Sequence, residues 1–186
     1  AFAAAGADIV LADIVDKSAL VEELERTGRR VLAVRCDVSD PAAVDQMVSK
    51  VAAAFGRIDI LFNNAGVISS KPLIDVEEVE WDRVVDISAK GTWLCGRAVA
   101  RIMMKAGQGK IINMSGGGAA TPFPRFSAYA VSKAALVRFT ETLAVELADH
   151  NIQVNAVAPG FVATRLHQQT LEVGEKAGAE FLRKTR

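Results

Sequence analysis

Short apolar runs alternate with longer segments of helical periodicity along the chain. Apolar, β-branched runs predict strands, and apolar positions that recur every three to four residues predict the helices between them. The predicted strands are Asp8–Asp13, Arg30–Cys36, Ile58–Phe62, Lys110–Met114 and Ile152–Val157. The predicted helices are Lys17–Thr27, Pro41–Phe55, Val76–Lys105 and Ser127–Asp149. Strands that are apolar along their length and separated by helices indicate a parallel sheet covered on both faces.

Both ends of the sequence are abrupt. Ala1–Ala5 is helix-forming and is followed by Gly6, a typical residue after a helix, yet no cap or turn precedes it. Thr164–Arg186 has a helical pattern without a Gly or Pro stop. We therefore expect residues 1–186 to form one domain that is a fragment of a longer chain.

Composition excludes several classes of protein. The 22 Lys and Arg residues balance the 22 Asp and Glu residues, which argues against nucleic acid or an acidic membrane surface as the main partner. Apolar stretches are far shorter than the ~20 residues of a membrane span, and no secretory signal pattern opens the chain. Cys36, Cys95, His150 and His167 are too isolated to suggest a disulfide framework or a metal site. These features predict a soluble, cytoplasmic protein without a metal.

Polar and small residues stand where each predicted strand ends, which is where parallel sheets bind ligands. These ends are Asp13, Asp37-Val38, Asn63-Asn64-Ala65-Gly66, Ser115-Gly116 and Pro159-Gly160, and Tyr129 and Lys133 follow on a helix. In this order and at these spacings, the motifs resemble the short-chain dehydrogenase/reductase family from Ala1 to about Arg165. The resemblance implies a Rossmann-like, doubly wound parallel sheet in three α/β/α layers, incomplete at both ends, that binds NAD(P).

Tyr129 and Lys133 are four residues apart, so both side chains lie on one face of a helix. A phenol with a pKa of about 10 is a poor acid or base near neutral pH, and a neighbouring ammonium lowers that pKa. The resemblance implies that Tyr129 exchanges the proton with the substrate oxygen and that Lys133 also binds the nicotinamide ribose, while the cofactor carries the hydride. Taken alone, the pair would be more typical of a half-buried tyrosine beside a solvated lysine.

Asp13 bears on the choice of cofactor. A carboxylate at this position accepts hydrogen bonds from ribose hydroxyls and repels a 2′-phosphate, and Ile14 and Val15 offer no basic group to that phosphate. NAD is therefore favoured over NADP, although Asp13 is also a typical helix cap. The resemblance places Asp37 and Val38 against the adenine ring, where the same segment is also typical of a loop with an N-cap.

The remaining cofactor contacts that the resemblance implies follow the third and fifth strands. They are Asn64, Ala65, Gly66, Pro159, Gly160, Val162 and Thr164. Asn64 and Ala65 would contact the adenosine ribose, and Gly66 would allow a close approach of the backbone. Val162 would bind the nicotinamide carboxamide through backbone atoms, and Thr164 would do so through its hydroxyl.

The first departure from the family pattern concerns the catalytic serine. That serine lies thirteen residues before the tyrosine, where this chain has Gly116, and Ser115 is one residue too early. Such an offset on a strand turns a side chain to the opposite face, but the pliable glycines would let Ser115 turn inward. Ser115 is therefore the candidate for polarising the substrate carbonyl. Ser127 or a backbone N–H are alternatives, and Ser127 is better explained as the N-cap of the Tyr129 helix.

The second departure is Ser88, which stands where the family usually has an asparagine. In the family, that residue acts largely through its backbone carbonyl, which holds a water in a proton relay to the lysine. A serine keeps the carbonyl and loses the amide side chain, so the relay would persist with less rigidity. A helix serine without a role is the competing interpretation.

Three functions follow from these features. The main hypothesis is a homo-oligomeric oxidoreductase, a dimer or tetramer, that interconverts a small secondary alcohol and a ketone. It would resemble a 3-oxoacyl reductase or another alcohol, sugar or steroid dehydrogenase. Gly116 and Ser88 support the alternative of a catalytically weak or silent nucleotide-binding or subunit-interaction member. Epimerase or dehydratase chemistry is disfavoured by the short substrate region and the Pro-Gly loop.

The strand order of the fold adds one expectation. In the order 3-2-1-4-5-6, the first strand lies between the second and the fourth. The strands at Asp8–Asp13 and Ile58–Phe62 correspond to the second and the fourth, so their facing edges would be unpaired. We expect a gap between them and no measurable NADH binding by the 186 residues alone, because the absent segment would hold the pyrophosphate site.

Overall fold

A computed structural model describes residues 1–160 of the chain. The strands are β1 (Ile9–Asp13), β2 (Val31–Arg35), β3 (Ile60–Asn63), β4 (Gly109–Met114) and β5 (Ile152–Val157). The α-helices are α1 (Ser18–Glu25), α2 (Pro41–Phe55), α3 (Glu78–Val85), α4 (Gly91–Ala106) and α5 (Ser127–Glu146). All five predicted strands are confirmed. The expected helix over Thr164–Arg186 lies outside the described residues.

The boundaries of α2 follow directly from local sequence. The Asp40 carboxylate accepts a hydrogen bond from the Ala42 N–H at 2.9 Å, and Pro41 occupies the first turn, where its missing N–H costs nothing. Gly56 ends the helix in the left-handed region, at a φ of 74°. The predicted and observed bounds of α2 are therefore identical.

The segment predicted as one helix over Val76–Lys105 is more complex. The structure has α3, then a π-helical turn over Asp86–Lys90, then α4. A π turn contains one residue more than an α-helical turn, and such turns are frequent at functional sites. The turn includes Ser88, so the irregularity lies at one of the candidate site residues. At the chain start, the predicted helix is reduced to a 3₁₀ turn over Ala3–Ala5 that ends at Gly6.

The strands form two parallel sheets. β1 pairs with β2, and β4 lies between β3 and β5. Within residues 1–160, no strand lies between β1 and β3, so the expected gap is confirmed. Helices α1 and α2 pack on β2, α4 packs on β3 and β4, and α5 packs on β4 and β5. The predicted Rossmann-like α/β arrangement is confirmed.

One hydrophobic core joins the two sheets. Its buried side chains come from β2, α2, α4, β4, α5 and β5 and include Val34, Val44, Leu94, Ile111 and Val154. Contact between α2 and α4 connects the β1–β2 half to the β3–β4–β5 half. In the described part of the chain, every helix is too short or too polar to cross a membrane.

Candidate active site

Tyr129 and Lys133 lie on one face of the first turns of α5, opposite the carboxyl end of β4. The Lys133 side chain is buried, with 4% of the residue exposed, and its Nζ donates a hydrogen bond to the Met114 carbonyl at 2.7 Å. The same Nζ lies 5.5 Å from the centroid of the Tyr129 ring. Because Met114 is the last residue of β4, this bond anchors the lysine to the end of the sheet.

Burial changes the protonation of both side chains. Desolvation lowers the pKa of Lys133 to about 8, because a buried ammonium loses its hydration. Burial also raises the pKa of the Tyr129 phenol above its ordinary value. The expectation that Lys133 lowers the phenol pKa is therefore wrong for this structure. The Lys133 ammonium lies over the ring and bonds to the Met114 carbonyl, so desolvation of the phenol determines the direction of its pKa shift.

Two glycines let the ends of β3 and β4 approach this pair. A Cβ at Gly116 would lie 2.6 Å from Tyr129 Oη and 3.7 Å from Lys133 Cγ. A Cβ at Gly66 would lie 3.5 Å from Ser88 Oγ and 3.7 Å from Lys133 Nζ. The structure thus brings together Tyr129, Lys133, Ser88 and the two glycines.

Ser88 is fully buried in the π-helical turn. Its Oγ lies 3.4 Å from the Val67 N–H nitrogen and 3.5 Å from the Val67 carbonyl. Its own carbonyl accepts a hydrogen bond from Thr92 Oγ1 at 2.9 Å. The predicted relay water would need the second lone pair of this carbonyl. That role of Ser88 stays a prediction.

Ser115 does not have the inward orientation that would make it a carbonyl-polarising group. The residue is buried, and its Oγ donates a hydrogen bond to the Lys133 carbonyl at 3.2 Å, so the hydroxyl is bonded to the backbone of α5. The Ser115 N–H donates to the Val157 carbonyl at 2.9 Å, which continues the β4–β5 pairing. This pairing holds Ser115 as part of the strand, so the following glycines do not turn its side chain inward.

The interpretation of Ser127 as an N-cap is wrong. Phe126 is the N-cap residue of α5, and no side chain caps this helix end. Ser127 is the first helical residue, and its Oγ is buried without a hydrogen-bond partner among the described residues.

A buried polar network that sequence reasoning missed ties the site elements together. Asn63 Nδ2 donates to Asn113 Oδ1 at 2.9 Å, and Asn113 Nδ2 donates to Thr140 Oγ1 at 2.9 Å. These bonds join the end of β3 to β4 and β4 to α5, and Asn113 is fully buried. The available signal was an asparagine inside the apolar run of β4, because a buried amide needs partners.

A second group of candidate residues lies at the end of the other sheet. Asp13 Oδ1 accepts a hydrogen bond from the Val15 N–H at 3.0 Å, and Asp13 Oδ2 pairs with Lys17 Nζ at 2.8 Å. The Lys17 ammonium lowers the pKa of Asp13. Lys17 also lines a cavity at this sheet end together with Arg35. Lys17 is thus a basic group beside Asp13 that the sequence analysis, which considered Ile14 and Val15, did not predict.

Asp37 and Val38 connect this sheet end to the Tyr129 side of the site. Asp37 Oδ1 accepts hydrogen bonds from the Ser39 N–H at 2.9 Å and the Ser39 hydroxyl at 2.6 Å, which lower the pKa of Asp37. A Cβ at Gly91 would lie 2.7 Å from Val38 Cγ2, so Val38 packs directly on the first turn of α4. Gly91 follows Ser88 by three residues, which places Val38 beside the π-helical turn.

The other predicted cofactor contacts fall in two groups. Asn64 and Ala65 are exposed after β3, and Gly66 is half-buried. After β5, Pro159 is half-buried and Gly160 is exposed, while Val162 and Thr164 lie outside the described residues. The ribose and nicotinamide roles of these residues stay predictions.

Comparison with known proteins agrees with this arrangement. The family model for short chain dehydrogenase matches residues 1–173. The chain is 40% identical over 168 residues to the 2-dehydro-3-deoxy-D-gluconate 5-dehydrogenase of Dickeya dadantii, a match that covers 90% of this chain and 66% of that protein.

Two solved structures are similar as well. A gluconate 5-dehydrogenase from Burkholderia cenocepacia in complex with NADP and tartrate has a TM-score of 0.86 and 32% identity, covering 90% of this chain and 66% of that one. An NAD⁺-bound xylitol dehydrogenase has a TM-score of 0.82 and 32% identity, covering 89% and 65%. This chain spans just under two thirds of the length of all three proteins. The family match, the parallel strand order and the cluster around Tyr129 agree, and the chain belongs to the short chain dehydrogenase family.

Proposed function

We propose that this chain is a single nucleotide-binding domain over residues 1–186 that interconverts a small secondary alcohol and a ketone with a nicotinamide cofactor. The observation that supports the proposal best is the Tyr129–Lys133 pair, in which Lys133 is buried and anchored to the end of β4 beside a half-buried Tyr129. Titratable groups with perturbed pKa values cluster at functional sites, and open parallel α/β sheets bind their ligands beyond the carboxyl ends of the strands. A dimer or tetramer is part of the same proposal.

Tyr129 and Lys133 would divide the proton transfer between them. The bound nicotinamide supplies or accepts the hydride. Tyr129 Oη donates its proton to the substrate oxygen when a ketone is reduced and takes it back when an alcohol is oxidised. Lys133, with a pKa of about 8, exchanges protons close to neutral pH and is the group that would return the proton to Tyr129. The Ser88 carbonyl would hold a water on this route.

The residues at the strand ends fit an adenine dinucleotide. Asp13 is a charged carboxylate that remains 37% exposed in its side chain, as an acceptor for ribose hydroxyls requires. The other contacts would be Asp37, Val38, Asn64, Ala65, Gly66, Pro159, Gly160, Val162 and Thr164. We propose NAD as the preferred cofactor because of Asp13, with NADP bound less well.

The test is Tyr129→Phe in the intact protein, after a screen of alcohols and ketones that follows NADH absorbance. The variant loses only the hydroxyl, so turnover should fall by about 10²–10⁴-fold, the usual contribution of a positioned acid or base. NADH affinity should stay within about twofold, since the ring remains in place. Thr142→Val, which removes an exposed hydroxyl from the same helix, is the control and should keep wild-type turnover.

Undiminished turnover by Tyr129→Phe would assign the proton transfer to another residue. A wild-type protein that binds NADH but turns over nothing in the screen would favour the silent nucleotide-binding alternative, which Gly116 and Ser88 suggest.

A further inference from the structure

Gly116 lies where any side chain would collide with the proposed acid/base hydroxyl. A Cβ at this position would be 2.6 Å from Tyr129 Oη and 3.5 Å from Tyr129 Cζ. Real Cβ atoms essentially never approach another heavy atom to less than 3.0 Å, and ordinary contacts begin at 3.4 Å. The Tyr129 hydroxyl therefore occupies space that a side chain at position 116 would need.

The backbone conformation of Gly116 does not itself require a glycine. Its φ of 176° and ψ of 179° are extended values that any residue adopts. The neighbouring Gly117 differs from Gly116 in its surroundings, because a Cβ at Gly117 would meet nothing within 4 Å. The need for a glycine at position 116 thus comes from the contact with Tyr129 and not from the loop.

Two aromatic side chains and Lys133 border the Tyr129 ring. Its centroid lies 6.1 Å from that of Phe123 and 6.4 Å from that of Phe126, and Lys133 Nζ lies over its face. A phenol is rigid, so its oxygen moves only when the whole ring rotates about χ1 or χ2. To restore an ordinary contact, Oη would have to move from 2.6 to at least 3.4 Å from the new Cβ, a displacement of about 0.8 Å.

We propose that Gly116 is a positioning residue of this site, because its lack of a side chain sets where the Tyr129 hydroxyl meets the substrate oxygen. The inference rests on the proposed function of Tyr129. It predicts the opposite of what the family pattern suggests: a serine introduced at position 116 impairs this protein, because its Cβ displaces the acid/base group before its hydroxyl can assist.

Kinetics of the intact protein give the first test. Gly116→Ala and Gly116→Ser should each lower kcat by about 10–100-fold, since a misplacement near 1 Å costs up to about 10²-fold. The KM for NADH should stay within about twofold, because the one contact of the new Cβ that is too close is with the reacting hydroxyl, while Lys133 Cγ stays at an ordinary 3.7 Å. Gly117→Ala and Gly117→Ser are the matched controls and should stay within about threefold of wild type, because their new atoms enter open space.

A spectroscopic measurement tests the geometry without relying on activity. In the intact protein made with isotope-labelled tyrosine, the Cζ resonance of Tyr129 is the one that disappears in Tyr129→Phe; Tyr129 is the only tyrosine among the 186 residues given. Gly116→Ala and Gly116→Ser should shift that resonance, and the two Gly117 variants should leave it unchanged. In an alkaline titration, Gly116→Ala should raise the phenol pKa further, because its methyl group excludes water from Oη. Circular dichroism checks that each variant is folded.

The outcomes separate this inference from the proposed function. A Gly116→Ser variant with wild-type kcat and an unshifted Tyr129 resonance would overturn the positioning role. If Tyr129→Phe is itself fully active, the proposed function fails instead, and the resonance of the Gly116 variants still decides whether position 116 sets the place of the hydroxyl.

Discussion

Replacing Lys133 by methionine should remove a pH dependence from the stability of the fold. Burial lowers the pKa of Lys133 from its ordinary value of 10.5 to about 8. Between these two values the unfolded chain binds one proton more than the folded chain, so the folded state gains stability as the pH rises. Lys133→Met retains the length and apolar stem of the side chain but has no proton to lose.

The size of the effect follows from the two pKa values. At about 1.36 kcal/mol per pKa unit, the difference between 10.5 and about 8 corresponds to roughly 3 kcal/mol over the full range. About 2 kcal/mol of this change in stability falls between about pH 7 and about pH 9.5, an interval in which denaturation can be measured. Only 4% of Lys133 is exposed, so solvent screening takes little from this value.

Urea denaturation at the two pH values measures the effect as a difference between proteins. The free energy of unfolding of the wild type, minus that of Lys133→Met, should rise by about 2 kcal/mol between neutral and alkaline pH. Lys50→Met, which replaces an exposed lysine of α2 in the same way, is the control. Tyr129 is present in all three proteins and cancels. If the free energy of unfolding of the wild type minus that of Lys133→Met stays constant or falls as the pH rises, burial does not lower the pKa of Lys133.

Two further substitutions test other parts of the site in the intact protein. Lys17→Met should raise the ratio of kcat/KM for NAD to kcat/KM for NADP by about tenfold, an effect near 1.4 kcal/mol. The substitution frees Asp13 Oδ2 for a ribose hydroxyl and removes a cation that would attract a 2′-phosphate. An unchanged ratio would contradict any role of Lys17 in the choice of cofactor. Ser115→Ala should change kcat by less than about threefold, because the Ser115 hydroxyl is bonded to the Lys133 carbonyl. A loss of about 10²–10³-fold would instead identify Ser115 as the donor that polarises the substrate carbonyl.

Features set by neighbouring residues were the most predictable. The bounds of α2 follow from Asp40, Pro41 and Gly56, which act within one turn of the helix. The π-helical turn at Ser88 was not predictable, because one extra residue in a long amphipathic segment leaves its apolar periodicity almost unchanged. The N-cap at Phe126 was missed because a serine next to it suggested the usual cap, and the structure leaves that serine inside the helix.

Features that depend on tertiary contact were predictable only in part. The family resemblance brings Tyr129 and Lys133 to the end of β4, and the structure agrees. The direction of the Tyr129 pKa depends on burial and on where the ammonium points, and neither property is visible in a four-residue spacing. The partners of Asn113 come from β3 and α5, so its network emerges only when three elements meet.

The gap between β1 and β3 also affects how this chain should behave in solution. Each of these strands has one edge without a neighbour among residues 1–160, and on β3 the side chains of Ile60 and Phe62 are 40% and 41% exposed. Open strand edges with apolar side chains are templates for pairing with other molecules, which leads to aggregation or domain swapping. Residues 1–186 made alone should therefore self-associate as their concentration rises. Any segment that pairs with both edges would join the two sheets into one and, in the same step, remove the template.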